Sequence, residues 1–248
     1  MLWELPTFPL FLSDEFNFGS VPGTVGSPWT RYGSGTFDDV NAIDPYAAVV
    51  DPNGARQDYT ASRHSWYLVQ PSGTDPTAVG IVRSVVWPAN CFVWARLAAH
   101  ARLGTAWAQP HWDGLCLIEI GSTTAGLPDE QNLFFCGFNI SDIDNEIACE
   151  ANYAIGGVYG AGLYHGPNTR DYSQPDVYVG IQKRGDLYSG WVAGSGGSWV
   201  HLLTADLSTA TTPLDSLAIG FRNRSTNPPG ALIVGVDFVR AVSGVVLP

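Results

Sequence analysis

The chain has 248 residues, 45% of them hydrophobic and 12% aromatic, but only 14% charged. Ordinary domains carry ~25% charged residues. The formal net charge of −11 comes from 12 Lys+Arg against 23 Asp+Glu. A surface this acidic repels phosphate backbones, so nucleic-acid binding is not expected. No run of about 20 apolar residues is present, so no membrane insertion is expected.

In chain order, residues 1–13 read as an apolar arm. Trp3, Leu5, Phe8, Leu10, Phe11 and Leu12 are punctuated by Pro6 and Pro9, which forbid a helix. The segment is not read as a signal peptide, because it lacks a basic start and carries Glu4. Its apolar side chains, Trp3, Phe8 and Phe11 foremost, are the candidates for docking on a neighbouring subunit or partner. The rival reading is an edge strand of the chain's own fold.

From Ser13 onward the pattern is strands and turns. In the stretch Asn90–His100, Cys91, Val93, Ala95 and Leu97 fall on one face, and Phe92, Trp94 and Arg96 on the other. Leu115–Ile120 and Leu133–Phe138 are further apolar strands. In Asp176–Lys183, Val177, Val179 and Ile181 alternate inward, with Tyr178 and Gln182 outward. Arg184-Gly185-Asp186 makes a turn and Leu187–Val192 returns as the hairpin partner. Trp199–Leu203, Leu217–Arg222 and Ala231–Arg240 complete the set. Many short strands with regular turns and no amphipathic helix predict an all-β sandwich or barrel. The expected organisation is an arm over 1–13 and one domain over 14–248.

Several motifs then resemble one family. Asp14-Glu-Phe16 followed by Trp29-Thr-Arg-Tyr-Gly33 resembles the opening of concanavalin A-like lectin/glucanase (laminin-G-like) domains. The hairpin Val179–Tyr188 resembles that family's Arg-Gly-x-aromatic hairpin. Gly194–Trp199 resembles its Ser-x-Asp-Gly-x-x-Trp turn, without the Asp. Leu217–Phe221 and Val236–Arg240 resemble its closing strands. The resemblance spans residues 13–242 and implies a two-sheet antiparallel jelly-roll. Lectins, adhesion modules, glycosidases and viral structural domains share that fold, so the fold does not assign the function.

Asp142, Asp144 and Glu146 match the spacing of the glucanase Glu-x-Asp-x-Glu strand, which puts three carboxylates on one face. Here Asp142 stands where the resemblance puts the nucleophilic Glu, one methylene short. The preferred reading is a solvated acidic loop, since Asn139, Ser141 and Asn145 are turn formers. Calcium at Asp142 and Asp144 and glycoside hydrolysis are the alternatives. No metal or other cofactor is expected.

His64, His100, His111, His165 and His201 form no closely spaced ligand pair. Gly156–Gly162 is glycine-rich but lacks the strand–helix context of a dinucleotide site, and reads as a loop or bulged strand. Cys91, Cys116, Cys136 and Cys149 lack CxxC spacing and are expected to be free thiols. Trp107, Trp112, Tyr159 and Tyr164 lie in loop-like segments and are the candidates for a glycan or protein partner. Trp94, Trp191 and Trp199, inside strands, are expected to be core.

An apolar arm, few charges and an adhesive fold together resemble a bacteriophage virion protein of the tail-tip, fibre or head-decoration type. That reading implies a non-catalytic structural or binding component, located in the virion and assembled in the host cytoplasm. Its expected partners are other virion or assembly proteins, a second copy of the chain, or a surface glycan. A free carbohydrate-binding module and a glycoside hydrolase are the alternatives.

Overall fold

The computed structural model describes residues 10–14, 27–32, 36–38, 66–70, 78–103, 113–141, 146–168, 177–194, 198–223, 231–244 and 247. All regular structure in them is strand. In chain order the strands are β1 (Leu10–Asp14), β2 (Thr30–Tyr32), β3 (Thr36–Asp38), β4 (Trp66–Gln70), β5 (Ala78–Ser84) and β6 (Asn90–Leu103). They continue with β7 (Asp113–Thr124), β8 (Leu127–Ser141), β9 (Glu146–Ile155), β10 (Val158–Tyr159) and β11 (Leu163–Asn168). The last are β12 (Val177–Arg184), β13 (Leu187–Gly194), β14 (Val200–Asp206), β15 (Ser216–Asn223) and β16 (Ala231–Ser243).

They form two eight-stranded antiparallel sheets. The first runs β14-β13-β12-β6-β16-β4-β3, with β1 also on β16. The second runs β10-β9-β8-β7-β15-β5-β2, with β11 also on β9. The expected all-β, two-sheet jelly-roll sandwich is the architecture found.

Period-2 alternation builds the core. Val93, Ala95 and Leu97 of β6 and Val179 and Ile181 of β12 face Cys116, Ile118 and Ile120 of β7 and Phe134, Cys136 and Phe138 of β8. All are fully buried between the sheets. The four cysteines are free, three buried and Cys149 half-buried. Burial pushes the Cys91 thiol up to about 12, and those of Cys116 and Cys136 further above the ordinary range.

The turns follow from glycine. Gly185, at φ 59°, opens the two-residue β12–β13 turn, where a type II′ turn takes Gly first. Gly156 and Gly157, at φ 59° and 76°, join β9 to β10, so the start of the glycine-rich segment is a hairpin. The β7–β8 turn has Ala125 at φ 54° before Gly126 at φ 80°, which puts a side chain in the left-handed region.

The boundary drawn between residues 13 and 14 runs through β1. Leu12 pairs with Ala241 and Ser13 with Arg240, and Leu12 is buried in the inter-sheet core. Asp14 accepts a hydrogen bond from Trp29 Nε1 at 2.7 Å. Phe11 meets the Trp87 ring edge-on at 6.2 Å. These residues of the arm therefore belong to the sandwich's own sheet, while residues 1–9 lie outside the described residues.

Candidate ligand-binding face

Each sheet has an outer face, turned away from the inter-sheet core, and on the first sheet that face is aromatic. Antiparallel register sets its rows. His201, Trp191, Gly180, Trp94 and Arg240 are successive partners across β14, β13, β12, β6 and β16. Beside them run Ala193, Tyr178, Arg96 and Phe238. On the other side run Thr204, Ser189, Gln182, Phe92 and Val242.

Phe92, Trp94, Tyr178, Trp191, Ala193, Phe238 and Val242 pack as one cluster, with Trp199 and Leu247 against it. Phe92 stacks on Trp94 at 5.5 Å and meets Trp199 edge-on at 5.2 Å. Gly180 makes room for this packing, because a Cβ there would lie 2.6 Å from the Phe92 ring. Tyr178 and Gln182 do point outward as expected, yet both are buried. The reason is this second apolar layer, and for Gln182 a main-chain partner. Its amide donates to the Leu247 carbonyl at 3.0 Å and accepts from the Leu247 N–H at 2.7 Å. Arg184 also donates to that carbonyl.

The layer is buried, though less completely than the inter-sheet core. Trp94, Tyr178, Trp191 and Phe238 keep 6–9% of their surface exposed, against 0% for Val93, Ala95 and Leu97 on the opposite face of β6. Polar groups stand around it. Arg96, Arg240 and Ser189 are half-buried, and His201 and Thr204 are exposed. The Arg240 guanidinium sits 4.3 Å from the Phe238 ring centre and that of Arg96 5.9 Å from Tyr178. The His201 ring lies 4.9 Å from that of Trp191, and its Nε2 is 2.9 Å from Thr204 Oγ1. Trp191 Nε1 is a buried donor with no hydrogen-bond partner among the described residues.

The second sheet's outer face is buried by Leu115, Leu117, Leu133, Phe135 and Ala154. It holds two buried carboxylates, Glu119 on β7 and Glu150 on β9, which face Phe135 and Gly137 of β8 respectively.

Of the site residues expected from the sequence, Tyr159, Tyr164, Glu146 and Phe11 lie among the described residues. Tyr159 ends the short β10, is 43% exposed, and has its hydroxyl 3.4 Å from Glu130 Oε2. Tyr164 pairs with Glu150 on β11. Glu146 opens β9, paired with Ser141 at the end of β8. Asp142, Asp144, Trp107, Trp112, Trp3 and Phe8 lie outside the described residues. Among the described residues no group of three His, Cys, Asp or Glu side chains could hold a metal ion. No described helix is long and apolar enough to cross a membrane.

The residues of the aromatic face were not among those candidates. Trp94 and Trp191 are buried, as expected of strand tryptophans, but in the outer layer rather than between the sheets. The signal for it was parity. Phe92, Trp94 and Arg96 share one face of β6, where a solvent-facing strand would carry small polar residues.

No protein-family model matches the sequence, and no curated protein does. Solved structures do match the fold. The CBM2 module of the evolved Dit of Lactobacillus casei BL23 phage J-1 superposes with a TM-score of 0.53 at 14% identity, over 94% of this chain and 94% of that one. A Bacillus subtilis protein of unknown function with a galectin-like fold has a TM-score of 0.53 at 14% identity, over 95% and 97%. For the xylan β-1,4-xylosidase of Bacillus halodurans C-125 the TM-score is 0.50 at 12% identity, over 84% of this chain, which spans only 39% of that enzyme. At such identities the likeness concerns architecture alone, and the architecture is a concanavalin-like jelly-roll sandwich.

Proposed function

We propose that this chain is a non-catalytic binding module of a larger assembly, a virion accessory component, that engages a glycan through the outer face of its first sheet. The observation that carries the reading is the pair of rows His201–Trp191–Gly180–Trp94–Arg240 and Tyr178–Arg96–Phe238. Saccharides present C–H faces that pack on aromatic rings and hydroxyls that need directed donors and acceptors. A rigid ring floor edged by His, Thr, Ser and Arg supplies both. The virion setting takes its support from the residue-level resemblance and from the phage origin of one protein that shares the fold.

Titration calorimetry against a panel of neutral and acidic oligosaccharides tests the reading. Saturable binding that is lost in both His201→Ala and Trp199→Ala supports it, and an absence of binding across the panel refutes it. Assay of laminarin and lichenan for released reducing sugar tests the non-catalytic part. Release abolished by Glu146→Gln would establish hydrolysis instead.

A further inference from the structure

Resting on that reading of the face, we infer that its ligand displaces part of the chain itself: Leu247 is a strap held across one end of the ring cluster, and its release opens that end. β16 ends at Ser243, opposite Cys91 of β6. Gly244 donates its N–H to the Asn90 carbonyl at 2.9 Å and takes a φ of 115°, a conformation that side chains disfavour. Three residues later, Leu247 is bonded to side chains of β12, which lies beyond β6 as seen from β16. Leu247 therefore lies over the outer face of the sheet and not in it.

Gln182 holds Leu247 as a strand neighbour would. Its amide donates to the Leu247 carbonyl at 3.0 Å and accepts from the Leu247 N–H at 2.7 Å, the two-bond exchange of an antiparallel pair. Arg184 donates to the same carbonyl. The Leu247 side chain packs against the ring cluster. That cluster includes Phe92 and Val242, which continue the Gln182 row across β6 and β16. Leu247 thus sets an apolar group on the rings and directed polar bonds beside them, the two kinds of contact a saccharide on this face would make. A ligand extending along that row and Leu247 cannot both be seated. The hold is also one that can be released. The main chain of β12 is already paired on both sides, with β6 and β13, so breaking bonds from its side chains opens no strand pair. Gln182 is buried, and losing Leu247 to an empty face would leave its amide short of partners. A ligand hydroxyl in the same place removes that cost, so the strap stays closed until ligand arrives. An open form at about a tenth of the population weakens apparent affinity about tenfold.

The test uses the full chain and its Leu247→Gly variant, with xylohexaose, cellohexaose and an oligogalacturonate as probes. In the free, unaltered protein, hydrogen exchange should find the Leu247 amide protected, and saturation with a probe that binds should remove that protection. Calorimetry should find the same probe bound about tenfold or more tightly by Leu247→Gly than by the unaltered chain. A synthetic peptide with the sequence of residues 243–248, added to the variant, should weaken the probe again. Protection at Leu247 that persists in the complex, or equal affinity in the two forms, overturns the strap and leaves the glycan reading standing. Binding of no saccharide by either form overturns both. The exchange comparison is made on the unaltered protein, so it decides the matter even where the variant fails to fold.

Discussion

Replacing Gly180 with Ala isolates the packing on which the aromatic face depends. An added Cβ would lie 2.6 and 2.8 Å from two atoms of the Phe92 ring and 3.2 Å from Trp199. Phe92 cannot swing clear, because it is fully buried and stacked on Trp94. Overpacking of this kind costs about 1–3 kcal/mol. The backbone at Gly180 is outside the left-handed region, so Ala recovers about 0.4–1 kcal/mol by restricting the unfolded chain. The net expectation is a loss of about 1–2 kcal/mol. For a domain of this size that lowers Tm by roughly 2–8 °C, at about 2–4 °C per kcal/mol. Urea unfolding followed by tryptophan fluorescence measures it. Phe92→Leu in the Gly180→Ala background should restore part of the loss, because the smaller side chain relieves the clash. Unchanged stability in Gly180→Ala, or additive losses in the double variant, would refute the idea that Gly180 exists to seat Phe92.

Three further outcomes are expected. Ala125→Asn should raise stability by about 0.5–1 kcal/mol in urea unfolding, because Asn before Gly126 suits a turn with both central residues at positive φ. Alkylation of the native protein without reductant at pH 8 should label Cys149 first and spare Cys91, Cys116 and Cys136, as mass spectrometry would show, and all four should label after unfolding. Because folding raises the Cys91 pKa from 9.0 to about 12, its contribution is fully present below pH 9 and is lost between about pH 9 and 12. Cys91→Ala should therefore flatten the fall of Tm with pH in that window, where each such thiol contributes at most ~1.4 kcal/mol per pH unit. Deleting residues 1–9 should leave Tm nearly unchanged and abolish any self-association seen by light scattering. Leu12→Ala, in the buried part of β1, should cost about 2–5 kcal/mol.

The inter-sheet core was legible because alternation is a local signal. Cys91, Val93, Ala95 and Leu97 could be assigned to one face from spacing alone, and the structure buries all four. The β12–β13 hairpin was legible from Gly185 for the same reason. The aromatic face was not, because its rows join residues from β6, β12, β13, β14 and β16. Trp94 and Trp191 are nearly a hundred positions apart, and only sheet order and register bring them into line through Gly180. Burial on both sides of a sheet also defeats the inward–outward reading. Tyr178 and Gln182 carry the polar signature of an exposed face but lie under further atoms. Glu119 and Glu150 were concealed likewise, since each is a charged residue on the outward parity of its strand and yet is buried.

The position of the last two strands governs how such a chain can assemble. β15 lies between β7 and β5 in one sheet, and β16 between β6 and the β4 and β1 strands in the other. Until residues 216–243 leave the ribosome, both sheets are split, and β5, β7, β4 and β6 present open edges able to pair with another chain. Such long-range closure is slow, and it leaves the nascent chain prone to misassembly during synthesis. The same geometry makes the β15–β16 segment a natural cut point. Supplied as a separate fragment, it would act as a key that closes both sheets at once, so recovery of the fold would report the meeting of the two pieces.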